Sequence, residues 1–200
     1  MKIILAILFC FSLVSTFAQV HRKGEVANFP YCHSGNITQM SPRFSFSSSS
    51  DFTISMWCCF NSRPSGESTL IFYGTLDAGN FVWSIGTWNG QVAFGCAKQQ
   101  SPNGWTIVGD PLSHLSTFRW HHITAVYKSG NISFYVDGEL ANTGKYNDSF
   151  APSATMPFSI GVTNVGNKEP WNYFDGEIDN VKIYGRALSS YEIQDLDNDN

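Results

Sequence analysis

The sequence predicts an all-β fold, a sandwich or barrel of short strands, and three observations carry that prediction. The stretch 52–60 alternates, placing Phe52, Ile54, Met56, Cys58 and Phe60 on one face. A period of two is that of a strand with one buried face. Short apolar runs then recur at 69–73, 81–86, 91–96, 120–127, 132–136, 157–162 and 177–184. Turn chemistry separates them: Asn89-Gly90, Ser129-Gly130-Asn131 and Asp137-Gly138. Asn-Gly between two apolar runs is the strongest short hairpin signal. Many short strands with polar turns read as a sandwich or barrel. The core is expected to enclose Ile54, Met56, Phe94, Phe134, Val136 and Ile183.

Taken in order from the amino terminus, the chain opens with Lys2 and an apolar run from Ile3 to Phe11, then small residues at Ser15, Thr16 and Ala18. This is the pattern of a secretory signal peptide over 1–18, with cleavage expected before Gln19. A spanning helix needs ~20 apolar residues, and Ser12, Ser15 and Thr16 interrupt this run. Bulky Phe9 ahead of Cys10 argues against a lipoprotein signal. The mature chain is expected to be soluble, without membrane insertion. Residues 19–26 read as a short leader, 27–196 as one sandwich domain and 197–200 as an acidic tail.

Within the domain, Ser47 to Ser50 form a polar loop. The stretch 97–118 reads as a long surface connection with a strand near Trp105 to Val108. One helix is predicted, over 190–196. Ser189 and Glu192 form a capping box there, and Leu188 and Ile193 a hydrophobic staple.

Composition narrows the function. Charged residues make up 14% of the chain, the formal net charge is -4, and no basic run occurs, so nucleic acid is not an expected partner. Without Cys10, four cysteines remain: Cys32, Cys58, Cys59 and Cys96. In an oxidising compartment these read as disulfides, and three pairings are open. Shared apolar faces favour Cys58–Cys96, with Cys32–Cys59 as the other pair. Cys58 and Cys59 are adjacent on a strand and point to opposite faces, which does not suit a shared zinc ion.

Four pieces in order resemble a known family. They are Phe52-Thr53-Ile54-Ser55 with Trp57; Trp120-His121-His122-Ile123-Thr124 with Tyr127; Ile132 to Gly138; and Phe174-Asp175-Gly176-Glu177-Ile178-Asp179-Asn180-Val181-Lys182-Ile183-Tyr184, followed by Arg186 to Ser189 and Glu192-Ile193. Together they resemble the laminin G-like jelly-roll domains of the concanavalin A-like lectin and glucanase superfamily, over about 50 to 196. The resemblance implies a jelly-roll sandwich of two antiparallel sheets. It also implies extracellular ligands, glycans, proteins or others, in many members with a structural calcium ion. Fold alone does not fix function, because glycosidases share it.

Candidate sites follow. His121 and His122 are strand neighbours whose rings face opposite ways, and the resemblance makes them scaffold. Retaining β-glucanases of this superfamily use Glu-x-Asp-x-x-Glu or Glu-x-Asp-x-Glu, with carboxyl groups about 5 Å apart. Glu177 and Asp179 match its start, but Val181 and Lys182 stand where the second glutamate belongs. No catalytic residue is therefore assigned. Asp179 is the candidate calcium ligand, and alternation places it on the core-facing side with Val181 and Ile183. Calcium needs several oxygen ligands, and the segment from Asn28 to Asn36, where the family supplies further acids, contains none. Trp88, Asn89, Trp171, Asn172 and Tyr173 are the ligand-binding candidates: flat rings beside amide side chains suit sugars. Sequons at Asn36, Asn131 and Asn147 are candidate glycosylation sites.

The expected function is a secreted, non-catalytic binding module for an extracellular glycan or glycoprotein. An adhesive matrix protein acting by protein contacts and a glycoside hydrolase of the same fold are the alternatives. Oligomeric state is not legible in the sequence.

Overall fold

The structure, a computed structural model, describes residues 27–29, 32–33, 51–74, 81–97, 104–146, 158–163 and 169–198, with backbone alone for 27–29, 32–33 and 81–82. The signal segment, Asn36 and Asn147 lie outside the described residues. The strands are β1 (Ala27–Phe29), β2 (Cys32–His33), β3 (Phe52–Phe60), β4 (Ser68–Gly74), β5 (Phe81–Trp88), β6 (Gln91–Ala97), β7 (Trp105–Pro111), β8 (Trp120–Lys128), β9 (Asn131–Val136), β10 (Glu139–Lys145), β11 (Phe158–Ile160) and β12 (Gly176–Tyr184). One helix, α1, spans Ser190–Asn198.

Seven strands form one antiparallel sheet in the order β1-β12-β3-β8-β9-β10, with β2 also pairing β12. Five form the other, in the order β11-β4-β5-β6-β7. Crossovers between the sheets make a jelly-roll sandwich. The inward faces enclose Phe52, Ile54, Met56, Trp83, Phe94, Phe134 and Ile183, all buried, with Val136 packed against them. The expected core is therefore the observed one.

The hairpins form where turn chemistry placed them. Both central residues of each two-residue loop have positive φ: Asn89 49° and Gly90 76°, Ser129 47° and Gly130 82°, Asp137 48° and Gly138 74°. Positive φ at both positions is the type I′ signature, whose twist matches the flanking strands. Strand β10 was not expected. Its residues are almost all exposed, so no alternation marks it, and pairing with β9 alone defines it.

The helix caps as predicted and runs on to Asn198. Ser189 N–H donates to Glu192 Oε2 at 2.8 Å, and Glu192 N–H donates to Ser189 Oγ at 3.3 Å. Arg186 adds a 2.6 Å ion pair to Glu192. Leu188 and Ile193 pack with Val126, with Tyr135, Tyr184 and Leu196 around them, on the outer face of the larger sheet. Asp197, expected in the tail, lies in the helix; even a methyl group added at Gly138 would come within 3.4 Å of its side chain.

Two sequence expectations are corrected. Cys58, Cys59 and Cys96 are free thiols. The Cys58–Cys96 bridge is out of reach because the two residues sit at opposite ends of the core. Cys96 pairs with Trp83, whose ring meets Phe52 at 6.2 Å. Cys58 lies six residues further along β3, or ~20 Å at the usual rise per residue. The Cys32–Cys59 bridge fails for a different reason. Cys32 pairs with Ile178 on one side of β12, while Cys58 and Cys59 pair with Ile178 and Glu177 on the other. Two strand spacings put the backbones ~10 Å apart, beyond the ~7 Å limit for a disulfide.

The second correction concerns Asp179. The β12–β3 register shifts between Asp179 and Lys182, where Asn180 adopts a positive φ of 51°. This bulge adds a residue and reverses the alternation. Asp179 pairs with Trp57 and faces outward, while Val181 and Ile183 remain in the core.

Candidate functional site

The outer face of the five-stranded sheet is built unlike its inner face. Register places Phe72, Ser84, Gly95 and Ile107 in one row across β4 to β7, and Gly86, Ala93 and Gly109 in a parallel row. Small residues thus fill the middle of this face. Large rings stand around them: Trp88 at the hairpin end and Trp105 opposite Ala97. The two indoles lean together over Gly95, where a methyl group would sit 3.6 Å from an atom of each. Gly86 is required by close approach, since a Cβ there would lie 2.2 Å from Ser68 O.

A fourth side is supplied by the segment ahead of β12. Trp171 and Thr163 exchange backbone hydrogen bonds of 3.1 and 2.9 Å, and Thr69 N–H donates to Asn172 O at 2.8 Å. The hydroxyls of Thr69 and Thr163 meet at 2.7 Å. Asn172, at φ 53°, turns the chain, and its Nδ2 donates to Glu67 Oε2 at 3.2 Å. Trp171 is thereby held against Phe72.

These walls enclose a cavity of about 280 Å³. Phe72, Trp88, Trp105, Ile107 and Trp171 form its apolar lining. Glu67, Thr69, Ser84, Asn89, Thr163 and Asn172 add polar groups. Glu67 is the sole ionisable residue among the described lining. Trp105 and Ile107 remain 40% and 41% exposed, so apolar surface faces solvent at the mouth. A half-apolar cleft with a few convergent polar groups is the usual form of a small-ligand site.

Four of the five ligand-binding candidates, Trp88, Asn89, Trp171 and Asn172, meet in this cavity, although over 80 residues separate the two pairs. Tyr173 does not join them: the turn at Asn172 leaves it half exposed outside the lining. Sequence reasoning missed Trp105, Ile107, Phe72 and Glu67. A signal existed in Trp105-Thr106-Ile107, two large apolar residues at alternate positions that face away from buried Val108.

The paired histidines are scaffold. Ser116 N–H donates to His121 Nε2 at 3.0 Å, which puts the ring proton on Nδ1, 2.8 Å from Asp137 Oδ2. His122 faces the other way, stacked on Trp57 at 5.1 Å, with Ser55 Oγ 2.7 Å from Nε2. Asp197 Oδ1 lies 3.5 Å from His122 Nδ1, which makes no hydrogen bond. Burial, then Lys182, pushes the His122 pKa down to about 4, while Asp137 opposes the shift. Unfolded histidine titrates near ~6.5. The unfolded state therefore binds the proton first, and stability falls as pH drops from about 6.5 to about 4, by about 3 kcal/mol in all. Thermal melts of the wild type should show that loss, and His122→Gln should remove it. Equal pH slopes for the two proteins would contradict it.

Glu177 and Asp179 lie on β12 in the other sheet, away from the cavity. Asp179 Oδ1 accepts a hydrogen bond from Asn180 N–H at 2.7 Å. Among the described residues no group of three or more His, Cys, Asp or Glu side chains comes together. Asn131 is exposed beside the β8–β9 turn, its Nδ2 reaching Lys128 O and Ser129 O at 3.3 Å each.

A two-sheet antiparallel jelly roll is the fold of the concanavalin A-like sandwich domains. The chain belongs to the Laminin_G_3 family of the concanavalin A-like lectin/glucanases superfamily, whose profile matches residues 34–194. No curated protein matches the sequence. Among solved structures it is similar to the Ruminococcus gnavus IT-sialidase CBM40 bound to α2,3-sialyllactose, with 14% identity and a TM-score of 0.66, over 84% of this chain and 95% of that one. It is also similar to domain 4 of AbnA, a GH43 extracellular arabinanase from Geobacillus stearothermophilus, in complex with arabinotriose: 20% identity, TM-score 0.56, 81% of each chain. The botulinum neurotoxin serotype G binding domain matches with 14% identity and TM-score 0.62, over 86% of this chain. This chain spans 47% and 27% of the chains of two further matches, a Paraclostridial mosquitocidal protein binding domain and NanB, and 46% of the neurotoxin chain. These likenesses concern the fold.

Proposed function

We propose that this protein is a secreted, non-catalytic glycan-binding module that holds its ligand in the cavity between Trp88, Trp105 and Trp171. The observation that carries this reading is the convergence of three tryptophans and several hydroxyl and amide groups on one face. Indole faces cover the C–H faces of a sugar ring, and neighbouring polar groups bond its hydroxyls. Similarity to sandwich domains with sialyllactose or arabinotriose bound supports the ligand class. Hydrolysis is not part of the reading. Cavity-lining Glu67 is the one carboxylate among the described residues there, whereas glycoside hydrolysis works through two facing carboxyl groups.

A glycan array probed with the purified mature chain tests the proposal. Discrete signals on a structurally related set of oligosaccharides are expected, with no shortening of the bound glycans on incubation. A blank array, or cleavage, would refute it. Export is part of the reading, and an intact mass beginning at Gln19 in the medium is its check.

A further inference from the structure

We infer that the cavity selects neutral sugars and turns away carboxylated or sulfated ones, with Glu67 as the discriminating residue. The inference rests on the glycan-binding reading above and narrows it to a ligand class. Glu67 borders the same cavity as the three tryptophans. Its position is fixed rather than adrift, although the residue is exposed. Thr87 Oγ1 accepts from Ser68 N–H at 2.9 Å and donates to Gly66 O at 3.0 Å, gripping the chain on both sides of Glu67. Asn172 Nδ2 holds Oε2 at 3.2 Å. An ordered carboxylate accepts hydrogen bonds and donates none. Two neighbouring sugar hydroxyls, each a donor, match its paired oxygens. An anionic sugar substituent does not: it brings a like charge and no proton to share.

The rest of the described lining offers no cation to offset that repulsion. Its polar members are threonine, serine and asparagine, without Lys, Arg or His. A like charge about 5 Å from Glu67 costs on the order of tenfold in affinity. Discrimination by an unpaired charge of this kind is a common route to specificity.

The test uses the mature chain on an array of matched oligosaccharide pairs, each neutral glycan beside its sialylated, uronic or sulfated counterpart. Wild type should bind the neutral member at least ~10-fold more tightly than the acidic one. Glu67→Gln should weaken neutral binding through loss of a charged acceptor, and should shrink the neutral-to-acidic ratio by roughly the same ~10-fold. Calorimetry in low and high salt provides the second reading: the ratio should narrow with salt in wild type and not in Glu67→Gln. Acidic members binding as well as neutral ones, or a ratio unmoved by Glu67→Gln, would overturn this inference and leave glycan binding standing. Failure of every glycan to bind would overturn both.

Discussion

Truncating either cavity-wall ring, half-buried Trp88→Ala or exposed Trp105→Ala, is expected to weaken glycan binding by about 2 kcal/mol or more, roughly 30-fold in Kd. Stability should hardly change for Trp105. Its ring is 40% exposed and flanked by the small residues Gly95 and Ala97, so its removal opens no core cavity. Surface substitutions of that kind usually stay within about 0.5 kcal/mol. Trp171 behaves differently because it packs against Phe72 as well as lining the cavity. Trp171→Ala should lower both affinity and melting temperature. Calorimetry paired with thermal melts separates the outcomes. Binding unchanged in Trp88→Ala and Trp105→Ala, with stability reduced, would show that these rings are packing and that the ligand sits elsewhere.

Trp83→Ala is expected to have the largest effect on stability. Trp83 lies on β5 one residue before Ser84, so its ring points inward, where it is 1% exposed. It stacks on Tyr73 at 5.4 Å and on Phe52 at 6.2 Å, and meets Phe94 and Phe158 at 6.2 and 6.4 Å. These partners come from both sheets, so the ring joins the two layers. Removing a large buried ring costs about 3–5 kcal/mol, a large part of a typical total of about 5–15 kcal/mol. The melting temperature should fall by roughly 10 °C or more. Trp83→Phe, which keeps an aromatic ring between the layers, should cost less than half as much. A loss under about 1 kcal/mol for Trp83→Ala would mean that the sheets do not pack through this cluster.

The inner face of the sandwich was legible because burial imposes a period of two. Ile54 and Phe94 announce themselves by alternation with polar or small neighbours, and the turns by residues that accept positive φ. Strand β10 was not, since its exposed side chains are under no such constraint. Asp179 was misplaced because a bulge at Asn180 breaks the period, and no residue type marks a bulge by itself. The cysteines misled for a related reason. A shared face is a local property, whereas a disulfide depends on where two strands lie along the whole sheet.

Four of the eleven described lining residues were legible, for chemical reasons. Trp88 and Asn89 sit at a turn, and Trp171 and Asn172 in a polar loop, where an aromatic stands out. Trp105 and Phe72 lie inside strands, where a ring reads as core unless the facing direction is known. Glu67 resembles any surface glutamate in the sequence. What makes it notable is the three-dimensional meeting of β4, the β5–β6 turn and the segment ahead of β12. That meeting depends on the bond between Thr69 and Asn172 and on the bridge between Thr163 and Trp171.

The central claim is that sugar rings stack in the cavity between Trp88, Trp105 and Trp171. An NMR titration of the tryptophan indole N–H signals, with the tightest-binding neutral oligosaccharide from the array, tests it most directly. The chain has six tryptophans, so each signal can be assigned by single substitution to phenylalanine. Trp88, Trp105 and Trp171 should shift together with one common Kd, while buried Trp83 and the other-sheet residues Trp57 and Trp120 stay fixed. Shifts confined to Trp57 and Trp120, or no indole shift at saturating glycan, would contradict the account.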